Sequence, residues 1–142
     1  MKKHLLCLDL GKGSLGMALS RSGFLITPLT NVRFHMMKFE EAINAIKEVM
    51  MTEMVETFII GYPSYPSGDP CEMSPIVEDF ILLLNKNFPN IPVIKQDERY
   101  STVEASSMLH TNGQNAKKQH KNIDSAAATV ILERYLSSIG QI

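Results

Sequence analysis

The stretch HLLCLDLGKGSLGMALS, residues 4–20, decides how the rest of the chain is read. Leu5, Leu6, Cys7, Leu8 and Leu10 predict a strand buried on both faces, and Asp9 places a carboxylate at its end, where desolvation is costly unless a cation or donor compensates. Gly11, Gly13 and Gly16 then allow a tight turn and a close approach of backbone to a ligand. Leu15, Met17 and Leu19 alternate as a returning strand. The unit is a hairpin with an acid at its mouth. Two explanations fit that loop: a turn that Asp9 caps while the glycines supply positive φ, or a metal or phosphate site. A lone Asp-x-Gly does not separate them.

Composition sets the outer bounds. The 142 residues predict one domain, residues 1–142, large enough to bury roughly two thirds of the surface its unfolded chain exposes. With 44% hydrophobic and 20% charged residues and a formal charge of −1, this is ordinary globular composition, so any nucleic-acid contact must come from a local patch. Cys7 and Cys71 are the only cysteines, in unlike contexts, which argues against a zinc site or a disulfide framework. The basic tip MKK precedes an apolar run broken at Asp9, too short for a signal core or a membrane span. A cytoplasmic protein is expected.

Downstream, Phe24 to Phe34 reads as a third strand, with Pro28 marking an edge or a bulge. Phe39 to Met51 changes to helical period, with Phe39, Ile43, Ile46 and Met50 on one stripe. Thr57 to Ile60, ending in Gly61, reads as a buried parallel strand. It enters a loop from Tyr62 to Pro75 that holds four prolines and one glycine, at the kind of strand end where open α/β sheets build sites. Ser74 is positioned to cap a helix through Asn85, with Ile76, Phe80 and Leu83 facing inward. Ile91 to Gln96 is the last strand and leads into DERYST, residues 97–102. A capping box at Ser101 and Glu104 predicts a short helix to about His110. A polar, basic loop follows over residues 111–122, and a final helix buries Ala127, Val130, Ile131 and Tyr135. The order predicts an α/β fold, a mixed five-stranded sheet with helices on both faces.

Three acids occupy comparable positions: Asp9 ends the first strand, Glu98 lies just beyond the last, and Asp124 begins the final helix. Carboxylates gathered at one sheet edge repel one another, and hard cations with oxygen ligands, Mg²⁺ or Mn²⁺, are the natural compensation. Two such ions about 4 Å apart activate a water and stabilise the leaving oxygen in phosphodiester cleavage. Each acid also has a purely structural role open to it, Asp124 at a helix N-terminus and Glu98 in a surface ion pair. Asp97 and Glu98 are adjacent in extended backbone and point to opposite faces, so Glu98 is taken as the ligand and Asp97 as its support. Arg99 and the cluster Lys117, Lys118 and Lys121 are candidate phosphate contacts, against the alternative of a solvated basic loop.

The LDLGKGSLGMALS start, the IIGYP strand and loop, the DERYSTVEA segment and the KKQHKNIDSAAATVIL ending together resemble the YqgF (RuvX) family of pre-16S rRNA nucleases, related to Holliday-junction resolvases. The resemblance runs in the same order over nearly the whole chain. It implies a ribonuclease H-like fold, cytoplasmic location, processing of the 5′ end of precursor 16S rRNA in ribosome biogenesis, and metal-dependent hydrolysis. The family's acidic triad falls on Asp9, Glu98 and Asp124. One departure stands out: Gly13 occupies a position where the family carries a basic residue, with Lys12 beside it as the remaining candidate for that phosphate contact. The loop after IIGYP also carries extra prolines.

Three functions stay in play at this level: the RNA nuclease, a resolvase-like nuclease for branched DNA, and a non-catalytic RNA-binding assembly factor. The sequence leaves open which nucleic acid is bound and whether the chain acts as a homodimer. The Asp-x-Gly hairpin also resembles the phosphate loop of sugar kinases and actin. Those proteins close two such domains around a nucleotide, and this chain has room for one.

Overall fold

The computed structural model describes residues 4–98 and 126–141. Five strands form one sheet in the order β3-β2-β1-β4-β5. The strands β1 (Leu5–Leu10), β2 (Ser14–Ser20) and β3 (Thr27–Arg33) make an antiparallel meander. The strands β4 (Thr57–Tyr62) and β5 (Val93–Asp97) continue it parallel to β1. The helices α1 (Phe39–Thr52) and α2 (Met73–Asn87) make the two crossovers, and α3 (Ala126–Ser138) follows residues 99–125.

Alternation along β1 divides the core in two. Leu6, Leu8 and Leu10 pack with Leu15, Met17, Phe58 and Ile60 under α1 and α2. Leu5 and Cys7 pack with Ala18 and Ile59 under Ala128, Ile131, Leu132 and Leu136 of α3. Helices therefore cover both faces, which explains why β1 reads as one apolar run. β3 lies at the edge, as Pro28 indicates, and the β2–β3 register shifts between Leu15 and Met17.

Local readings needed revision at three points. Ser74 does not cap α2, which begins earlier, at Met73 after Glu72. The buried Ser74 hydroxyl accepts from Cys71 N–H at 2.9 Å and donates to the Pro63 carbonyl at 2.6 Å, so it closes the preceding loop instead. The inward stripe of α2 is Val77, Phe80 and Leu84, with Ile76 and Leu83 half-buried beside it. On α3, Ala128, Leu132 and Leu136 join Val130 and Ile131 in the core, whereas Ala127 and Tyr135 are half-buried. The helix expected from Ser101 to His110 lies outside the described residues. Among the described residues no helix is long and apolar enough to cross a membrane.

Candidate active site

Three parallel strands end at one edge of the sheet, which collects Asp9 from β1, Gly61 and Tyr62 from β4, Asp97 from β5 and Glu98 just after it. Side-chain alternation sorts these residues by face. Asp9 shares the α3 face with Cys7 and is paired across the hairpin with Gly16. On the other side, Leu8 pairs with Ile60, so Gly61 is the next residue along β4 beside Asp9. Asp9 thus stands between two strands that present no side chain next to it.

Glu98 is held in place by its backbone. Its N–H donates to the Tyr62 carbonyl at 3.3 Å, which extends the β4–β5 ladder by one bond. It continues the Ile94, Gln96 face, and Ile94 packs on the α3 side. The carboxylate leans over β4: a Cβ built on Gly61 would lie 2.7 Å from Glu98 Oε2, 2.8 Å from Glu98 Cδ and 2.7 Å from Ile131 Cδ1. A side chain there would have to displace Glu98 or Ile131, so glycine serves here for space rather than for its backbone angles. With Glu98 leaning over β4 and Asp9 on the neighbouring β1, the two carboxylates lie on the same face of one sheet edge.

The electrostatics place both carboxylates near Cys7. Burial pushes the Cys7 thiol well up, and the nearby Asp9 and Glu98 carboxylates push it in the same direction. Asp9 is largely enclosed, and burial raises its carboxyl above the ordinary carboxylate range. Among the described residues it has no hydrogen-bond donor and no cationic partner to offset that cost. A carboxylate in this setting fits a hard cation.

The glycines of the first loop act differently from the turn explanation. None of Gly11, Gly13 and Gly16 has positive φ. Gly11 N–H donates to the Ser14 carbonyl at 2.8 Å and closes the turn. The segment leading from β3 to α1 lies against Gly13: Phe34 N–H donates to the Gly13 carbonyl at 3.0 Å, and Met37 N–H to that of Lys12 at 2.7 Å. A Cβ on Gly13 would touch the Phe34 carbonyl at 3.4 Å. The Lys12 ammonium forms an exposed ion pair with Glu72, just before α2.

Of the expected site residues, Asp9 and Glu98 are brought together, and Lys12 sits at the same edge. Asp124, Arg99, Lys117, Lys118 and Lys121 lie outside the described residues. Asp97, expected as the support of Glu98, ends β5. It belongs to the opposite face with Lys95, and lines a separate cavity there. Sequence reading did not anticipate the paired glycines around Asp9, because strand register has no signature in the chain itself.

The two cysteines differ in kind. Cys7 is fully buried, whereas Cys71 is half-buried and the Ser74 hydroxyl holds its thiol below the ordinary value. Ellman's reagent is expected to titrate Cys71 alone in the folded protein, with Cys7 reacting only on unfolding. Reaction of both thiols at one rate would show that the packing around Cys7 is wrong.

A meander of three antiparallel strands extended by two parallel ones, with helices on both faces and acids at the carboxyl edge, defines a ribonuclease H-like α/β protein. Residues 3–138 match the RuvX family model, described as Holliday junction resolvase, and the chain belongs to that family. It is 37% identical to a protein of Onion yellows phytoplasma, with 93% of this chain and 87% of that protein covered. It is 32% identical to one of Mesoplasma florum, with 96% and 97% covered, and 33% identical to one of Chlorobium phaeobacteroides, with 97% and 94% covered. All three bear the name "Putative pre-16S rRNA nuclease". Among solved structures, Pelota of Archaeoglobus fulgidus matches at a TM-score of 0.45 and 13% identity, covering 97% of this chain and 36% of that one.

Proposed function

We propose that the protein is a divalent-metal-dependent endonuclease that processes the 5′ end of precursor 16S rRNA in the cytoplasm. One observation carries this reading: Asp9, enclosed and without a donor among the described residues, stands beside Gly61, over which the Glu98 carboxylate leans. Family membership and the names borne by the relatives supply the substrate. The donor set is oxygen only, which suits Mg²⁺ or Mn²⁺. Bound there, such ions supply an activated water and charge neutralisation at the leaving oxygen.

The chain contributes position and access. Asp9 and Glu98 hold the charge in place, with Asp124 expected as the third ligand. Gly61, beside Asp9 on β4, leaves room for the Glu98 carboxylate to lean over that strand toward Asp9. Lys12 is exposed, and an exposed ion pair such as that with Glu72 is worth only ~0–1 kcal/mol, so a substrate phosphate can displace the glutamate. Arg99, Lys117, Lys118 and Lys121 are the further phosphate contacts this reading assigns.

Incubating the purified protein with a precursor 16S rRNA fragment and Mn²⁺ tests the proposal. Cleavage is expected, and it should stop with EDTA or in Asp9→Asn. Turnover that persists in both controls rules out the assignment. A four-way DNA junction assayed in parallel reports the substrate: faster cutting of the junction would favour the resolvase activity of the family's description. Salt-sensitive RNA binding that survives Asp9→Asn, with no cleavage by the parent protein, would mark an assembly factor.

A further inference from the structure

The carboxyl edge of the sheet has a second face. Where Asp9 and Glu98 look toward α3, Tyr62, Lys95 and Asp97 look toward α2 and line an open cavity of about 410 Å³ with Ser64 and Gly68. The cavity has a firm wall. Residues 64–70 form a small hairpin, bridged between Ser64 and Pro70, in which Tyr65 N–H donates to the Asp69 carbonyl at 2.9 Å. Gly68 N–H donates back to Tyr65 at 2.7 Å, and Gly68 takes the positive φ of 95° that this turn needs.

We propose that this cavity seats an unpaired nucleobase of the substrate strand, one that presents an amino group. The inference rests on the nuclease reading above. Three features lead to it. The first is size and shape, since the volume lies within the ~300–1,000 Å³ of small-ligand sites and one wall is the flat ring of Tyr62. The second is charge. The Lys95 ammonium is shared between Glu78 and the Tyr62 ring, 4.8 Å from its centroid, so the lining does not select for an anion. Asp97 offers carboxylate oxygens that only accept, with lone pairs enough for a base in addition to any protein partner. A flat group with hydrogen-bond donors matches that lining, as a cytosine amino group does when read by an acidic side chain.

The third feature is position. Asp97 and Glu98 are consecutive, yet they point to opposite faces of the sheet. A nucleic-acid strand lying across the sheet edge with a phosphate at Asp9 and Glu98 therefore brings a neighbouring nucleotide over Asp97. Adjacent residues of the protein would contact adjacent units of the substrate, one for the bond and one for the base.

The test measures binding and is independent of cleavage. Fluorescently labelled oligo(C) and oligo(U) are titrated against Asp9→Asn protein in EDTA and followed by anisotropy. Oligo(C) is expected to bind roughly tenfold tighter than oligo(U), whose base lacks the amino group. Asp97→Ala in that background should bring the two to parity, and Tyr62→Leu should weaken both by about fivefold or more. Asp97 is exposed and leucine keeps the apolar contacts of Tyr62, so both variants are expected to fold, with thermal melting as the check. Equal affinity for the two oligomers, or an unchanged preference in Asp97→Ala, overturns the proposal even where the parent protein cuts precursor rRNA. Loss of cleavage in Asp9→Asn with no base preference separates a sound active site from a wrong base site. Binding of neither oligomer overturns the proposal and counts against the nuclease reading as well.

Discussion

Asp9→Asn is expected to lower cleavage by about a thousandfold or more and, without metal, to make the protein more stable. The two effects share one cause. Asp9 is enclosed with no donor or cation among the described residues, and burial raises its carboxyl. A raised acid in the folded state binds its proton more tightly than the unfolded chain does. Its favourable contribution is complete below the ordinary carboxylate range, near pH 4, and is lost as the pH rises through the folded value. Asparagine is neutral throughout. In EDTA the melting temperature of Asp9→Asn should match that of the parent in acid and exceed it by about 3 °C near neutrality, the size expected for a gain of roughly 1 kcal/mol. Mn²⁺ should reverse the order, because it binds the folded parent and raises its melting temperature, while the variant has lost a ligand. Melting curves at several pH values, with and without Mn²⁺, decide the matter. A variant less stable than the parent in EDTA at neutral pH would mean that Asp9 has a partner holding its charge.

Gly61→Ala carries the second large effect. The new methyl would sit 2.7 Å from Glu98 Oε2 and from Ile131 Cδ1, closer than carbon and oxygen or two carbons can approach. Both neighbours are ends of flexible side chains, so the strand survives and the carboxylate moves. A displacement of about 1 Å at a reacting group costs on the order of a hundredfold in kcat, whereas overpacking costs stability only about 1–3 kcal/mol. On the proposed function, Gly61 is then a positioning residue that works through Glu98. A thermodynamic cycle with Glu98→Gln tests this: once Glu98 is neutralised, Gly61→Ala should lower Mn²⁺ affinity no further. Additive losses would show that the glycine acts on something else. Ile131→Val should restore stability without restoring activity, since it relieves only the apolar half of the clash.

Much of this arrangement is visible in the chain. The apolar run Leu5–Leu10 broken by Asp9, the change of period at Phe39 and the short buried run before Gly61 give the sheet and its crossovers, because burial on both faces leaves a continuous pattern. Glu98 is separable from Asp97 by alternation alone. What the sequence hides depends on register and on partners distant along the chain. Gly16 and Gly61 are unremarkable glycines until pairing places both beside Asp9. Ser74 before Pro75 imitates a helix cap, yet the Pro63 carbonyl, 11 residues back, claims its hydroxyl. The alanines that open α3 are small on every side and fix no helical phase, so the sequence does not show that Ala128 is buried and Ala127 only half-buried. The ion pair of Lys12 with Glu72, 60 residues away, is equally invisible in the chain.

The hydrogen bonds from Phe34 and Met37 to the first loop have a mechanical consequence. Two carbonyls of that loop are tied down to the segment that leaves the sheet's outermost strand, so the loop beside Asp9 cannot swing outward without breaking them.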